Sequence, residues 1–145
     1  MIKAWRIRSI EETGKQKIDE AVDVEYIGLI NYSVMAIIQE TLKDNKEIEL
    51  GLEKALELYD REVKITKQLM MDKNHDYGEV WREMRRSSMT DLILMKLLRV
   101  KQIEDNDGKT LISEGLDANY RDIVNYAVFA LILIDEAKEG RMSNE

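Results

Sequence analysis

The 145 residues contain no cysteine, no proline and one histidine, with seven glycines and a single phenylalanine. Without cysteine there are no disulfides, thiolate zinc sites, iron–sulfur clusters or cysteine nucleophiles. One histidine cannot furnish a multi-histidine metal site or a zincin motif within one chain. The lack of proline and scarcity of glycine remove the usual punctuation of short strands and tight turns. Long apolar runs are also missing. The longest, Tyr126 to Ile134, reaches only ~13 Å as a helix, which suits a buried core helix and not a membrane span. The N-terminus, MIKAWRIRSIEE, has no apolar stretch followed by a small-residue cleavage site.

What is present is charge and apolar surface in the proportion of amphipathic helices, 35% charged and 44% hydrophobic residues. The formal net charge of −7 argues against a duplex nucleic-acid footprint. A chain of this size buries a core without staples. The expectation is a single, cytoplasmic, all-α domain over residues 1–145, whose metal, if any, sits on carboxylates and is therefore magnesium-like.

Hydrophobic periodicity predicts five helices and no strand. They cover about Ile2–Glu12, a segment starting after Asp23 and carrying Tyr26 to Ile38, Glu49–Lys73, Ser88–Glu104 and Asp117–Glu139. Leu52, Leu56, Tyr59, Val63, Leu69 and Met70 stand at helical spacing in the third. Ser88-Met-Thr-Asp91 reads as a capping box opening the fourth. The stretches 13–22, 43–48, 74–86 and 106–116 are expected loops, with Gly78 ending the third helix at positive φ.

The chain also aligns with itself. Lys3, Arg6, Ile10 and Glu11 match Lys96, Arg99, Ile103 and Glu104. After one inserted residue, Gly14, Lys15, Ile18, Glu20, Asp23 and Tyr26 match Gly108, Lys109, Ile112, Glu114, Asp117 and Tyr120. Asn31, Tyr32, Val34, Ala36 and Ile38 then match Asn125, Tyr126, Val128, Ala130 and Ile132. Fifteen identities over 36 pairs, where chance gives roughly two, indicate a repeated helix–loop–helix unit: 3–38 as a partial copy, and 96–132 preceded by the segment 50–95. Such units tend to pack about a pseudo-two-fold axis, with helices two and five at the centre and the long third helix as an outer layer. The first copy starts at Met1, already inside the helix that corresponds to residue 94 onward. The expectation is either an upstream stretch carrying the missing segment or a homo-oligomer that covers the open face of the Trp5 helix.

Polar residues interrupt apolar stretches at a few places. Lys96 and Arg99 share one helix face, and Asp122 and Asn125 share another. Facing helices would bring Asp122 to Lys96 or Arg99, either as a structural ion pair with a satisfied core asparagine or as a pocket for phosphate oxygens and a divalent ion. In the first copy Gly28 stands where Asp122 would be and Glu25 where Asn119 would be, so the carboxylate sits one turn earlier. The segment Lys73 to Gly78 holds His75, Asp76 and Tyr77. It is either a plain helix-ending turn or a loop closing over a base, with Tyr77 or Trp81 stacking.

KNHDYGEVW, SSMTDLILMKLLRVKQIE and SEGLDANYRDIVNYAVFALI together resemble the nucleotide modification associated domain family, type one. The resemblance covers about residues 50–135 in full and 2–40 as a partial second copy. More distantly, the last helix is similar to the final motif of the all-α MazG and dimeric dUTPase-like pyrophosphohydrolases. In that group E-x-x-E and E-x-x-D helices hold magnesium against a triphosphate. The second motif reads Asn119-Tyr-Arg-Asp122 here, and the first falls at Lys96-Leu-Leu-Arg99, two bases. The resemblance implies a small-molecule nucleotide as partner, with Lys96, Arg99, Asn125, Glu114, Lys73, Asp76 and Tyr77 at its site and magnesium on Asp122. A non-catalytic helical scaffold is the competing expectation.

Overall fold

The computed structural model describes residues 2–13, 22–43, 50–106 and 115–143. They form α1 (Ile2–Thr13), α2 (Val22–Leu42), α3 (Leu52–Tyr77), a short 3-10 turn (Val80–Glu83), α4 (Arg86–Asp105) and α5 (Leu116–Ser143). Among the described residues there is no strand, so the all-α bundle expected from periodicity is the fold.

The two segments that align in sequence are both helix pairs, α1–α2 and α4–α5. Helix α5 packs most extensively on α2 and α4, while α1 lies on α2 and α4. Helices two and five therefore meet at the centre as expected. The core draws on all four helices, with Ile7, Tyr26, Met89, Ile93 and Ile123 fully buried. Tyr26 brings a polar group into this core. Its hydroxyl bonds the Thr90 hydroxyl (2.9 Å), and Thr90 donates to Glu11 (2.7 Å). Burial first, and the neighbouring Glu11 charge, push the Tyr26 phenol up to about 12.

The expected outer helix is present, and the predicted apolar stripe turns inward only at its C-terminal part, where Met70 packs on the core. Leu58, Glu62 and Thr66 are the buried positions of α3, whereas Leu52 and Leu56 are 76% and 55% exposed. The polar side wins because α5 offers it partners. Arg121 donates to Glu62 (2.7 Å) and to the Thr66 hydroxyl (3.0 Å), and Thr66 donates back to the Glu62 carbonyl (2.8 Å).

Three boundaries also differ. Helix α3 runs on to Tyr77, so Lys73 to Tyr77 is its last turn and not a loop. Helix α4 starts at Arg86 with Arg85 as N-cap and no side-chain cap bond, which leaves Ser88 inside the helix and undoes the capping-box reading. The expected loop after Gly78 contains the 3-10 turn carrying Trp81. Gly78 itself has φ +67° as predicted, a conformation that disfavours a side chain. The glycines at 14 and 108, which align in sequence, lie outside the described residues.

Candidate functional site

Helix α5 presents Asp122 toward both α3 and α4. Lys96 Nζ lies 3.0 Å from Asp122 Oδ2, which meets the expectation that Asp122 contacts a cation of the fourth helix. Lys73 Nζ, from the last turns of α3, lies 2.9 Å from Asp122 Oδ1. Both carboxylate oxygens thus carry an ammonium. Asn125, one turn on, donates to the Thr66 carbonyl at 3.5 Å and is 6% exposed. Lys73, Asp122 and Asn125 line a cavity of about 70 Å³ with Met70, Asn74, Tyr126 and Phe129. That is room for one or two waters and far below the ~300 Å³ at which small-molecule sites begin.

The remaining expected members stand elsewhere. Arg99 is half-buried on α4, one turn beyond Lys96. Asp76 is exposed beside His75 (3.3 Å), and Tyr77 is 75% exposed; neither lines the cavity. Glu114 lies outside the described residues. Trp81 is buried and stacked on Phe129, with centroids 4.4 Å apart and planes within 6°, so its ring is not presented to a base. Among the described residues the donor set does not fit magnesium as drawn from the sequence: both oxygens of Asp122 are taken by the ammonium groups of Lys73 and Lys96. Among the described residues no three histidines or acids are grouped to hold a metal ion.

The corresponding place in the first copy is built differently, and sequence reasoning did not single it out as a site. Glu25, 2% exposed, accepts from Lys3 Nζ (3.1 Å) and from Arg6. Lys3 reaches it by crossing Gly28, where an added Cβ would fall 2.6 Å from the lysine Cδ. The carboxylate that sits one turn earlier in α2 therefore still meets the same lysine, because the residue between them has no side chain. These three residues, with Ile2, Leu29, Tyr32, Ser33, Ala36, Leu97 and Tyr120, line an open groove of about 680 Å³. The signal in the sequence was the pairing of Lys3 and Arg6 with their counterparts Lys96 and Arg99. The groove itself arises from what does not fill it. In the second copy, Met70 and Lys73 of α3 line a small cavity together with the equivalent Tyr126, whereas Tyr32 is 63% exposed.

Burial pushes the Glu25 carboxyl up, but the hydrogen bonds and charges of Lys3 and Arg6 together outweigh it and hold it below its ordinary value of 4.5. A carboxyl whose folded-state pKa is depressed stabilises the fold above its unfolded pKa. That stability is lost as pH falls through the folded pKa. Melting temperature is therefore expected to fall as pH drops below about 4.5, and less steeply in Glu25→Gln. Equal slopes for both proteins in thermal melts across that range would contradict the pairing.

Among the described residues the all-α bundle holds a small, ion-locked cavity at Asp122 and an open groove at Lys3 and Arg6. The family model for nucleotide modification associated domain 1 matches residues 1–39 and 73–134, and the chain belongs to that family. The two matched stretches enclose the two self-aligned segments. Neither the curated proteins nor the solved structures include a match to this chain.

Proposed function

We propose that this domain is a cytoplasmic nucleotide-binding module and that the nucleotide occupies the groove that α1, α2, α4 and α5 line together. One observation carries the reading: a groove of about 680 Å³ brings two cations, held on a buried carboxylate, together with two tyrosines. Sites for small molecules are concave, mostly apolar and furnished with a few convergent polar groups. Cations suit phosphate oxygens and tyrosine rings suit a base. The family's description supports the same ligand class. In this reading Lys73, Lys96, Asp122 and Asn125 act as a lock that ties α3 and α4 to α5. Magnesium, where it takes part, arrives with the phosphates. The pyrophosphohydrolase-like activity implied by the distant resemblance belongs to this proposal only as a property to be assayed.

Thermal melts with nucleosides and their phosphates, with and without magnesium, test the reading. A ligand at 100 times its Kd stabilises the folded state by about 2.7 kcal/mol. The expected result is a rise of several degrees with at least one nucleotide. No rise with any nucleotide at millimolar concentration counts against the proposal.

A second reading, a self-associating scaffold, is favoured by the apolar surface left open. Ile2, Trp5, Met95 and Leu98 on α1 and α4 are all more than half exposed, and so are Leu52 and Leu56 on α3. Contiguous apolar surface of this kind marks an interaction face. Homo-oligomerisation is compatible with nucleotide binding, and sedimentation measures it directly. Trp5→Asp and Leu52→Glu then tell which face is used, since only the variant on the interface gives a monomer. A wild type that is monomeric at all concentrations removes the scaffold reading.

A further inference from the structure

Helix α4 carries an apolar row on its outer side. Leu94, Met95, Leu97 and Leu98 line a groove of about 700 Å³ with Trp5 of α1, and Asp91 and Lys101 stand at the two ends of the row. Met95, Leu98 and Trp5 are more than half exposed. The repeat places Ile2 and Trp5 of α1 where Met95 and Leu98 stand on α4, and Ile2 is exposed as well. Both copies thus keep two large apolar residues at the same outward positions, where a solvated helix face carries polar residues.

The row is symmetric about Lys96. Asp91 and Lys101 lie five residues to either side of it, Leu94 and Leu98 two, Met95 and Leu97 one. The Lys96 ammonium itself is drawn into its own bundle, 3.0 Å from Asp122 on α5. A two-fold axis sets residue i of one chain against residue j of the other, and j against i. Laid antiparallel on a second α4, the row brings leucine and methionine against leucine in the middle and Asp91 against Lys101 at both ends. A parallel alignment would set Asp91 on Asp91 and Lys101 on Lys101. Both end residues are exposed. Arg8 reaches Asp91 and also Glu11, one guanidinium for two carboxylates, and a carboxylate accepts several donors.

We infer that α4 is the docking surface for a second copy of this chain, packed antiparallel about a two-fold axis near Lys96, with Trp5 of each copy flanking α4 of the other. This rests on the self-association reading above and names its face and its geometry. Apolar burial drives the contact, and the charge order along the row fixes its direction.

Sedimentation equilibrium of the full chain and two single variants tests the inference. Asp91→Lys sets ammonium against ammonium at both ends, and Lys101→Asp sets carboxylate against carboxylate. Each variant alone is expected to dissociate at least about tenfold more readily at low ionic strength, since two pairs turn from attraction to repulsion together. An equimolar mixture of the two is expected to dimerise like the wild type, because the heterodimer restores both pairs. Each variant moves the net charge of −7 by two and stays negative, so overall attraction between the chains does not produce the rescue. Single variants that dimerise like the wild type, or a mixture that stays dissociated, overturn the antiparallel pairing and leave self-association standing. A wild type that is monomeric at every concentration overturns both.

A second measurement does not depend on the charge variants folding. The chain has no cysteine, so an introduced one reports only its own contact. Met95→Cys, at an exposed position one residue from the axis, is expected to form an intermolecular disulfide under mild oxidation, and Leu52→Cys on α3 is not. No link at position 95, or an equal one at position 52, overturns the assignment to α4.

Discussion

Arg121→Met is expected to lower the unfolding free energy by about 3 kcal/mol or more, the cost of leaving one member of a buried ion pair alone. Arg121 is 13% exposed and its partner Glu62 is 5% exposed. The guanidinium reaches the Glu62 carboxylate at 2.7 Å and the Thr66 hydroxyl at 3.0 Å. Methionine fills similar space with no donor, so Glu62 is left as a buried charge. For a domain of this size that corresponds to a melting point lower by roughly 10 °C, compared at one protein concentration. Glu62→Gln in the Arg121→Met background removes the stranded charge and should recover much of the loss. A single variant within about 0.5 kcal/mol of the wild type in denaturant unfolding would show that water, and not Arg121, satisfies Glu62.

This pair also marks where sequence reading stops. Arg121 aligns with Ile27 of the first copy, so its polarity was visible as a departure from the repeat. Glu62 and Thr66 are spaced for one helix face. Nothing in the spacing says that this polar face of α3 turns inward, because the decision is made by donors on a helix 59 residues away. Apolar stripes usually face the core, yet of Leu52, Leu56, Tyr59, Val63, Leu69 and Met70 it is Met70 that packs on it, while Leu52 and Leu56 stay exposed. The α4 start was misplaced on similar grounds. Ser88 carries a capping signature, but Arg85 and Arg86 bring the helix in two residues earlier and the signature falls inside it.

Other features were legible because a local rule settles them. Helix existence followed from periodicity, and the positive φ of Gly78 from its position after a helix end. The meeting of Asp122 with Lys96 followed from two polar residues interrupting the apolar faces of adjacent helices. The open groove was not legible, since its volume depends on four elements at once. The sequence alignment placed Gly28 opposite Asp122, yet the consequence is three-dimensional: the missing side chain is the channel through which Lys3 reaches Glu25.

Trp81→Ala is expected to cost about 3–5 kcal/mol, the range for removing a large aromatic from a core. The ring lies flat on Phe129 at 4.4 Å. The Arg82 guanidinium stands 4.6 Å from its centroid and is tied in turn to Glu79 and Glu136. Removing the indole therefore strips Phe129 of its stack, leaves a cavity between the 3-10 turn and α5, and frees the arginine from its cation–π contact. The same tryptophan follows the D-Y-G motif, where it could equally have stacked on a base, and the two roles give opposite results. A ligand-stacking residue would leave stability nearly unchanged on truncation and lose binding. A core residue loses stability first. Trp81→Phe separates them further. It keeps an aromatic against Phe129 and discards the indole Nε1, which is buried with no hydrogen-bond partner among the described residues, so its cost is expected to be clearly less than that of alanine. If Trp81→Ala melts within a degree or two of the wild type while nucleotide binding disappears, the ring belongs to the site and not to the core.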